Sequence, residues 1–311
     1  MSDVPIRGLR TVVTGASGFL GSHLCKRLLH CGACVHATSR IGRTSHHPKL
    51  TWWRSDLTDY GTVHEMLEKI RPDVVFHLAG QVTAAPDLAL VLPTFHSLLT
   101  STVNILSATE SLGCRRLVIS GSLTELAPGV PEAIPGSPYA AAKWMGTVYA
   151  RMFHELYRTP AVILRPFMTY GPGQHKDKIV PHVILSLLQG NRPRLSSGKW
   201  QADWIYVDDV IDGFVLAASR TGIDGCTIDL GSGTLTSTAE VVKELVSLIN
   251  PEIEPLFGGV PDRPAEVIRV ADTRSSKASL GWDPRTSLEQ GLARTIEFFQ
   301  DQLNRQTGKP V

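Results

Sequence analysis

Three glycines at positions 15, 18 and 21 punctuate Thr14-Gly15-Ala16-Ser17-Gly18-Phe19-Leu20-Gly21, between an apolar run and a stretch of helical periodicity. Gly15 permits a tight turn, Gly18 lets backbone approach a pyrophosphate, and Gly21 lets a helix pack close on a sheet. The amides that open the helix, with its positive dipole end, then face the anion together with Ser17, Phe19 and Leu20. A strand–turn–helix setting gives such a glycine pattern its meaning, and it reads as a dinucleotide cradle. An acid for the adenosine ribose is due about 20 residues on, where the chain instead has Thr38-Ser39-Arg40. Ser39 can bond a phosphate and Arg40 supplies a planar cation for it, with Arg43 in support. The expected cofactor is therefore NADP(H) rather than NAD(H). Asp56 and Leu57, after the third apolar run, are placed to flank the adenine.

Tyr139 and Lys143 stand four apart in Ser137-Pro138-Tyr139-Ala140-Ala141-Ala142-Lys143. Ser137 suits a helix N-cap and Pro138 the first helical position. The phenol and the ammonium then lie one turn apart on one face. A phenol of pKa near 10 is a poor base at neutral pH, but a neighbouring ammonium and an oxidised nicotinamide would lower that value. Tyr139 could then exchange a proton with a sugar hydroxyl or carbonyl while hydride passes to or from the cofactor. Taken alone, the spacing also suits an ordinary amphipathic helix. A second cluster, Ser120-Gly121-Ser122-Leu123-Thr124-Glu125, ends the fifth apolar run. Ser122 or Thr124 could bond the same substrate oxygen as Tyr139, and Glu125 could remove a proton next to a carbonyl; any of them could instead cap the loop.

The elements that must hold these groups show in the hydrophobic pattern. Apolar runs at Arg10–Thr14, Cys34–Thr38, Leu50–Arg54, Val74–Leu78, Arg116–Ser120 and Ala161–Leu164 alternate with helical stretches at Phe19–His30, Tyr60–Ile70, Pro93–Leu112 and Tyr139–Tyr157. That alternation predicts an α/β fold, a Rossmann-type doubly wound parallel sheet of six strands. After Arg165 the rhythm breaks. A helix at Val180–Gln189, a strand at Trp204–Val207, a helix at Val210–Ser219, a strand at Cys226–Leu230 and helices at Thr236–Leu248, Ser275–Leu280 and Leu288–Leu303 are expected. We expect residues 1–168 to form the dinucleotide-binding domain and residues 169–311 a smaller, mostly substrate-binding region, with part of 204–230 returning to the first domain. Ligands then lie beyond the carboxyl ends of the strands.

Composition excludes several other classes. The 311 residues carry 31 Lys+Arg against 29 Asp+Glu, a net charge of +2. No basic stripe of the kind that binds nucleic acid is visible. The most apolar long stretch, Val74–Leu92, is interrupted by His77, Gln81 and Asp87, so no membrane span is expected. The N-terminus lacks the basic start and apolar core of a signal peptide. Five cysteines, an odd number, read as free thiols in a reducing cytoplasm, and Cys31-Gly-Ala-Cys34 lacks a redox context. None of the eleven histidines sits in a metal-ligand cluster.

The glycine-rich loop, His77-Leu78-Ala79-Gly80, the serine-rich end of the fifth run, Tyr139/Lys143 and Arg165-Pro166-Phe167-Met168-Thr169-Tyr170-Gly171-Pro172-Gly173 together resemble the extended branch of the short-chain dehydrogenase/reductase family. So do Asp203-Trp204-Ile205-Tyr206-Val207-Asp208-Asp209-Val210, Leu230-Gly231-Ser232-Gly233, Ala271-Asp272-Thr273 and Leu280-Gly281-Trp282. The likeness runs in order from residue 10 to about 300. It implies that Tyr139 is the acid/base, that Lys143 orients the nicotinamide ribose, that Ser122 or Thr124 is the hydroxyl partner, and that Leu78, Ala79 and Gly80 line the cofactor. It further implies a nucleotide-activated sugar as substrate, with Met168 and Arg263 at substrate-binding positions. The chain departs from the family at Leu98 and Met168, each in place of an asparagine, and at Ala202, in place of an arginine. The loop after Glu125 reads Ala127-Pro128, where the family's 4,6-dehydratases have Tyr-Gly. Among the family's reactions a 4-keto-sugar-nucleotide reductase is favoured, because a consumed reductant is usually NADPH. A 4-epimerase or 4,6-dehydratase with retained cofactor is the alternative, and a non-catalytic dinucleotide sensor the further one. A homodimer joined through the Pro93–Leu112 and Tyr139–Tyr157 helices is also expected.

Overall fold

The computed structural model describes residues 6–83, 85–126, 134–262 and 267–307. In chain order the elements are β1 (Arg10–Thr14), α1 (Phe19–His30), β2 (Cys34–Ser39), β3 (Leu50–Arg54), α2 (Tyr60–Ile70), β4 (Val74–His77), α3 (Val91–Thr94), α4 (Ser101–Leu112), β5 (Arg116–Ser120) and α5 (Pro138–Tyr157). There follow β6 (Ala161–Pro166), β7 (Met168–Tyr170), α6 (Ile179–Leu188), β8 (Gln201–Tyr206), α7 (Val207–Ala217), β9 (Thr227–Leu230), β10 (Leu235–Ser237), α8 (Thr238–Ile249), α9 (Thr273–Leu280) and α10 (Leu288–Thr307).

The chain divides into two compact units. The first holds Met1–Pro166, Ile211–Leu230 and Arg274–Trp282. Its sheet has the order β3-β2-β1-β4-β5-β6-β9, and every pairing is parallel. The strand order reverses at β1, the switch point of a doubly wound Rossmann-like sheet. Seven strands are present rather than six, because β9 pairs with β6 through Ile163↔Thr227 to Pro166↔Leu230. One buried cluster joins Val12, Val75, Leu117, Ile119 and Ile163 of the sheet to Val63, Leu67 and Ile70 of α2, Ile105 and Leu106 of α4, and Ala150 and Phe153 of α5. A buried ion pair, Arg165 Nε to Asp229 Oδ1 at 2.7 Å, ties β6 to β9 near their carboxyl ends.

The helix expected over Pro93–Leu112 is a composite. A 3₁₀ turn (Leu88–Leu90) leads into α3, a π-helical turn follows at Phe95–Thr100, and α4 completes it. Pro93 falls in the first turn of α3, where its missing N–H has no intrahelical partner to lose. The continuous span Leu88–Leu112, 25 residues, is long and apolar enough to cross a membrane by length and composition, and about a third of it is buried. The sequence reading placed the most apolar stretch earlier, across the loop after β4, and so passed over it. In this fold the span packs against α2 and α5.

The second unit holds Phe167–Val210, Gly231–Thr273 and Asp283–Val311. The boundary thus precedes Met168, which starts β7. A small sheet, β10-β8-β7, pairs antiparallel on one side of β8 and parallel on the other. The helices α6, α8 and α10 pack on one another. Gly291 lets α10 approach the sheet: a Cβ there would lie 2.2 Å from the Tyr170 hydroxyl. Two acids organise the loops. Buried Asp203 accepts from the Ser232 amide (2.5 Å) and hydroxyl (2.7 Å), the Gly233 amide (2.9 Å) and the Ala271 amide (3.0 Å). Asp209 accepts the Arg285 and Thr286 amides at 3.1 and 3.0 Å.

Candidate active site

All candidate groups of the first unit lie where parallel strands end, so the loops after β1, β2, β3, β4 and β5 share one edge. The loop after β1 is pressed against the end of β4. Gly15 has φ +66°, and a Cβ on it would sit 2.8 Å from the Ala79 Cα. At Gly21 a Cβ would meet the Gly15 carbonyl oxygen at 2.2 Å, so only glycine allows α1 this close. Gly18 is the N-cap of α1, with no side chain capping the helix and no acid in its first turn. Ser17 and Gly18 are exposed. An open, uncapped helix N-terminus behind a glycine turn fits a diphosphate.

At the end of β4, Thr14 and His77 form a buried network that fixes its own protons. The Thr102 hydroxyl donates to the Leu98 carbonyl at 2.6 Å, leaving its lone pair for His77 Nε2 at 3.1 Å. His77 therefore carries its proton on Nε2, and Nδ1 accepts from the Thr14 hydroxyl at 2.9 Å. The Thr14 oxygen in turn accepts the amides of Leu78 and Ala79, both at 3.1 Å. Burial, with the Lys143 charge nearby, pushes the His77 pKa down to about 3, consistent with this neutral tautomer. Gly80 follows at φ +146°, and the Leu98 side chain covers it: a Cβ would overlap Leu98 Cδ2.

The end of β5 and the face of α5 form the second half of the site. Ser137 caps α5 through the Ala140 amide (3.2 Å), with Pro138 in the first turn. Tyr139, Lys143 and Thr147 follow at four-residue steps on one face. The Tyr139 phenol is buried, with the Ser122 hydroxyl beside it. The Ser122 hydroxyl shares a 2.9 Å bond with Thr124 Oγ1, so of the two candidates Ser122 adjoins the phenol and Thr124 stands behind it. Glu125 is 4% exposed and both its oxygens are engaged: Oε1 accepts the Ser122 amide (2.7 Å), Oε2 the Thr147 hydroxyl (2.9 Å). Of the two roles read for Glu125, base or loop cap, the bond to the Ser122 amide is that of a cap. Lys143 Nζ donates to the Ser120 carbonyl at 2.6 Å.

Burial, reinforced by the Glu125 charge, holds the Tyr139 phenol above its ordinary pKa, against the Ser122 hydroxyl beside it. Burial brings Lys143 down to about 8, with Glu125 pulling the other way. Burial raises the Glu125 carboxyl, opposed by its hydrogen bonds to Ser122 and Thr147 and by Arg165 and Lys143.

At the adenosine end, Ser39 Oγ accepts the Ile41 amide at 3.3 Å and Arg40 is exposed. The Arg43 guanidinium stacks 5.4 Å from the Trp52 ring centroid. Asp56 accepts from the Thr58 amide and hydroxyl, and the buried Leu57 gives its carbonyl to Asn104 at 3.0 Å. Met168 belongs to the second unit, and Arg263 and the Ala127-Pro128 pair lie outside the described residues. Sequence reasoning missed Thr147 and the His77 network. Thr147 was accessible, since it continues the spacing of Tyr139 and Lys143; the network joins residues 63 and 25 apart and leaves no local pattern. Among the described residues no group of three or more His, Cys, Asp or Glu is gathered to hold a metal.

Residues 11–231 match the family described as NAD dependent epimerase/dehydratase. A UDP-glucose 4-epimerase of Mycolicibacterium smegmatis is 32% identical, over 94% of this chain and 99% of its own length. A dTDP-glucose 4,6-dehydratase of Haemophilus influenzae is 26% identical, over 94% and 98%. Among solved structures, the UDP-glucose 4-epimerase of Thermotoga maritima with UDP-glucose is similar at a TM-score of 0.85 and 25% identity, covering 95% of this chain and all of that one. With a glycine cradle at β1, a Tyr–Lys pair on α5 and relatives matched from end to end, the chain belongs to the NAD-dependent epimerase/dehydratase family of sugar-nucleotide enzymes, within the extended short-chain dehydrogenases/reductases.

Proposed function

We propose that this enzyme is a 4-epimerase of a nucleotide-activated sugar, with Tyr139 moving the proton at the C4 oxygen. The observation that carries the reading is the contact of the Tyr139 phenol with Ser122, one helical turn from Lys143, on the strand-end edge that also bears the glycine cradle. When bound, a nicotinamide dinucleotide supplies a hydride acceptor and a positive charge. Gly15, Gly18 and the open end of α1 would hold its diphosphate, and Lys143 its ribose. Tyr139 keeps its proton at neutral pH in the protein alone, which suits delivery to a ketone oxygen. Taking a proton from the C4 hydroxyl asks for added positive charge beside the phenol, and Ser122 can bond the same oxygen meanwhile. The end-to-end likeness to a 4-epimerase supports this reading over a reductase. The occupied oxygens of Glu125 weigh against a 4,6-dehydratase that uses Glu125 to remove a proton.

A second reading, a 4-keto-sugar-nucleotide reductase using NADPH, is favoured by one feature: β2 ends in Ser39 and exposed Arg40, with no acid for a ribose. The preference for NADP(H) and a homodimeric assembly belong to the proposal too. Incubation of the protein with UDP-glucose, dTDP-glucose and their 4-keto forms, with NAD⁺, NADP⁺, labelled NADPH or no addition, followed by NMR of the products, separates the readings. Conversion of a sugar to its C4 epimer without net reduction supports the epimerase. Deuterium from labelled NADPH retained at C4 of the product identifies the reductase.

A further inference from the structure

We infer that Glu125 is a positioning residue for this chemistry, a carboxylate strut that spans the loop after β5 and helix α5 and so sets Ser122 against Tyr139. The inference rests on the reading of Tyr139 given above. Its geometry is two-sided. Oε1 holds the backbone amide of Ser122 at 2.7 Å, and Oε2 holds the Thr147 hydroxyl, two turns beyond Tyr139 on the same helix face, at 2.9 Å. The strut therefore joins the two elements that bring the Ser122 hydroxyl beside the Tyr139 phenol. Gly121 makes room for it: a Cβ there would lie 2.5 Å from Oε1, 2.9 Å from Arg165 Cγ and 3.0 Å from Ile163 Cγ2.

A carboxylate at this depth needs hydrogen bonds and opposite charge to remain ionised. Around Glu125 these come from Ser122 in the loop, Lys143 and Thr147 on α5, and Arg165 on β6, itself paired with Asp229 on β9, while Tyr139 on α5 faces the same charge. The charge of Glu125 raises Tyr139 and Lys143 alike, so the strut also keeps the phenol protonated and the ammonium charged. A base that abstracts a substrate proton must face that proton, whereas Glu125 is buried with a hydrogen bond on each oxygen.

The test compares Glu125→Gln, which keeps the shape and an acceptor for the Ser122 amide, with Glu125→Ala, which removes the strut. Tyrosinate absorbance near 295 nm is titrated in the protein without added ligand; the step that disappears in Tyr139→Phe belongs to Tyr139. In Glu125→Gln that step should move to lower pH, and an unmoved step overturns the inference whether or not a substrate is in hand. On the sugar nucleotide converted in the product screen, Glu125→Gln should retain turnover within about tenfold of wild type, while Glu125→Ala should lose about 100-fold. Equal loss in both overturns the strut in favour of a base. Where Glu125→Ala does not fold, Thr147→Val replaces it. Its kcat should fall several-fold with KM and dinucleotide affinity unchanged, and an unchanged kcat counts against the strut. A shifted tyrosine step combined with full turnover in Tyr139→Phe would instead leave the strut standing and remove the proposed function.

Discussion

Tyr139 is held in its protonated form by burial and by Glu125, with Ser122 beside it on the strand side. Tyr139→Phe removes the hydroxyl and leaves the glycine cradle untouched. Turnover should drop by about 10²- to 10⁴-fold, the range for a positioned acid/base group, with dinucleotide affinity unchanged by fluorescence titration. Arg40 is a cleaner test of the cofactor, because it is exposed at the end of β2. Arg40→Ala should weaken NADP(H) binding by about 1.5–3 kcal/mol, the worth of a charge-assisted contact, and leave NAD(H) binding unchanged. Calorimetric titration of both cofactors reads the difference. His77 gives a prediction in pH. Its ordinary pKa of 6.5 falls to about 3 in the folded protein. Above 6.5 the imidazole is neutral folded or unfolded and contributes no pH dependence. Below 6.5 the unfolded chain takes a proton that the folded one refuses, so stability falls with falling pH. Between pH 7 and pH 5 this amounts to about 2 kcal/mol. In urea melts the loss of unfolding free energy from pH 7 to pH 5 should be larger in wild type than in His77→Gln by that amount.

At the scale of elements, Asp203 within β8 organises the loops at Ser232-Gly233 and Ala271 through four donors. Asp203→Asn turns an amide toward backbone N–H groups that need an acceptor, and should cost about 3 kcal/mol in a denaturant melt. The elements themselves were legible to different degrees, for physical reasons. The strands β1 to β6 stand out in the sequence because each is an apolar run between turn formers and a helical period. The start of α5 was legible too, since Ser137 and Pro138 are local cap signals and do cap it. The strands β7 and β10, three residues each, are too short to show a period. The π-helical turn at Phe95–Thr100 leaves the apolar spacing almost unchanged. The site divides in the same way. Glycine spacing and the Tyr139–Lys143 pair are local and readable, whereas the bonding of Glu125 depends on a loop folding back toward α5. The local half, the bond to the Ser122 amide three residues back, was open to the sequence as a loop cap; the bond to Thr147 was not.

At the scale of the whole molecule, the first unit exposes several large apolar side chains on two of its helices. Leu92 (66%) and Phe95 (46%) on the composite helix, with Val148 (42%), Leu156 (63%) and Tyr157 (52%) on α5, lie outside its core. A second copy related by a two-fold axis would cover them. Light scattering at micromolar protein should give the mass of a dimer, and Leu92→Glu with Phe95→Glu should give a monomer; a monomeric wild type would count against the assembly. The tracing of the chain bears on how such a molecule comes to exist. The backbone passes from one unit to the other after residues 166, 210, 230, 273 and 282. During synthesis from the N-terminus, a chain that has emerged only to Pro166 has six of the seven strands, and the Arg165 guanidinium at the rim of β6 faces no Asp229. The open edge of β6 waits for 60 further residues before Thr227 begins to cover it, and Ser276, whose hydroxyl bonds the Asp229 carbonyl, arrives later still. The nascent sheet is thus left unsealed until most of the protein has left the ribosome, and neither unit can be had by trimming the other away.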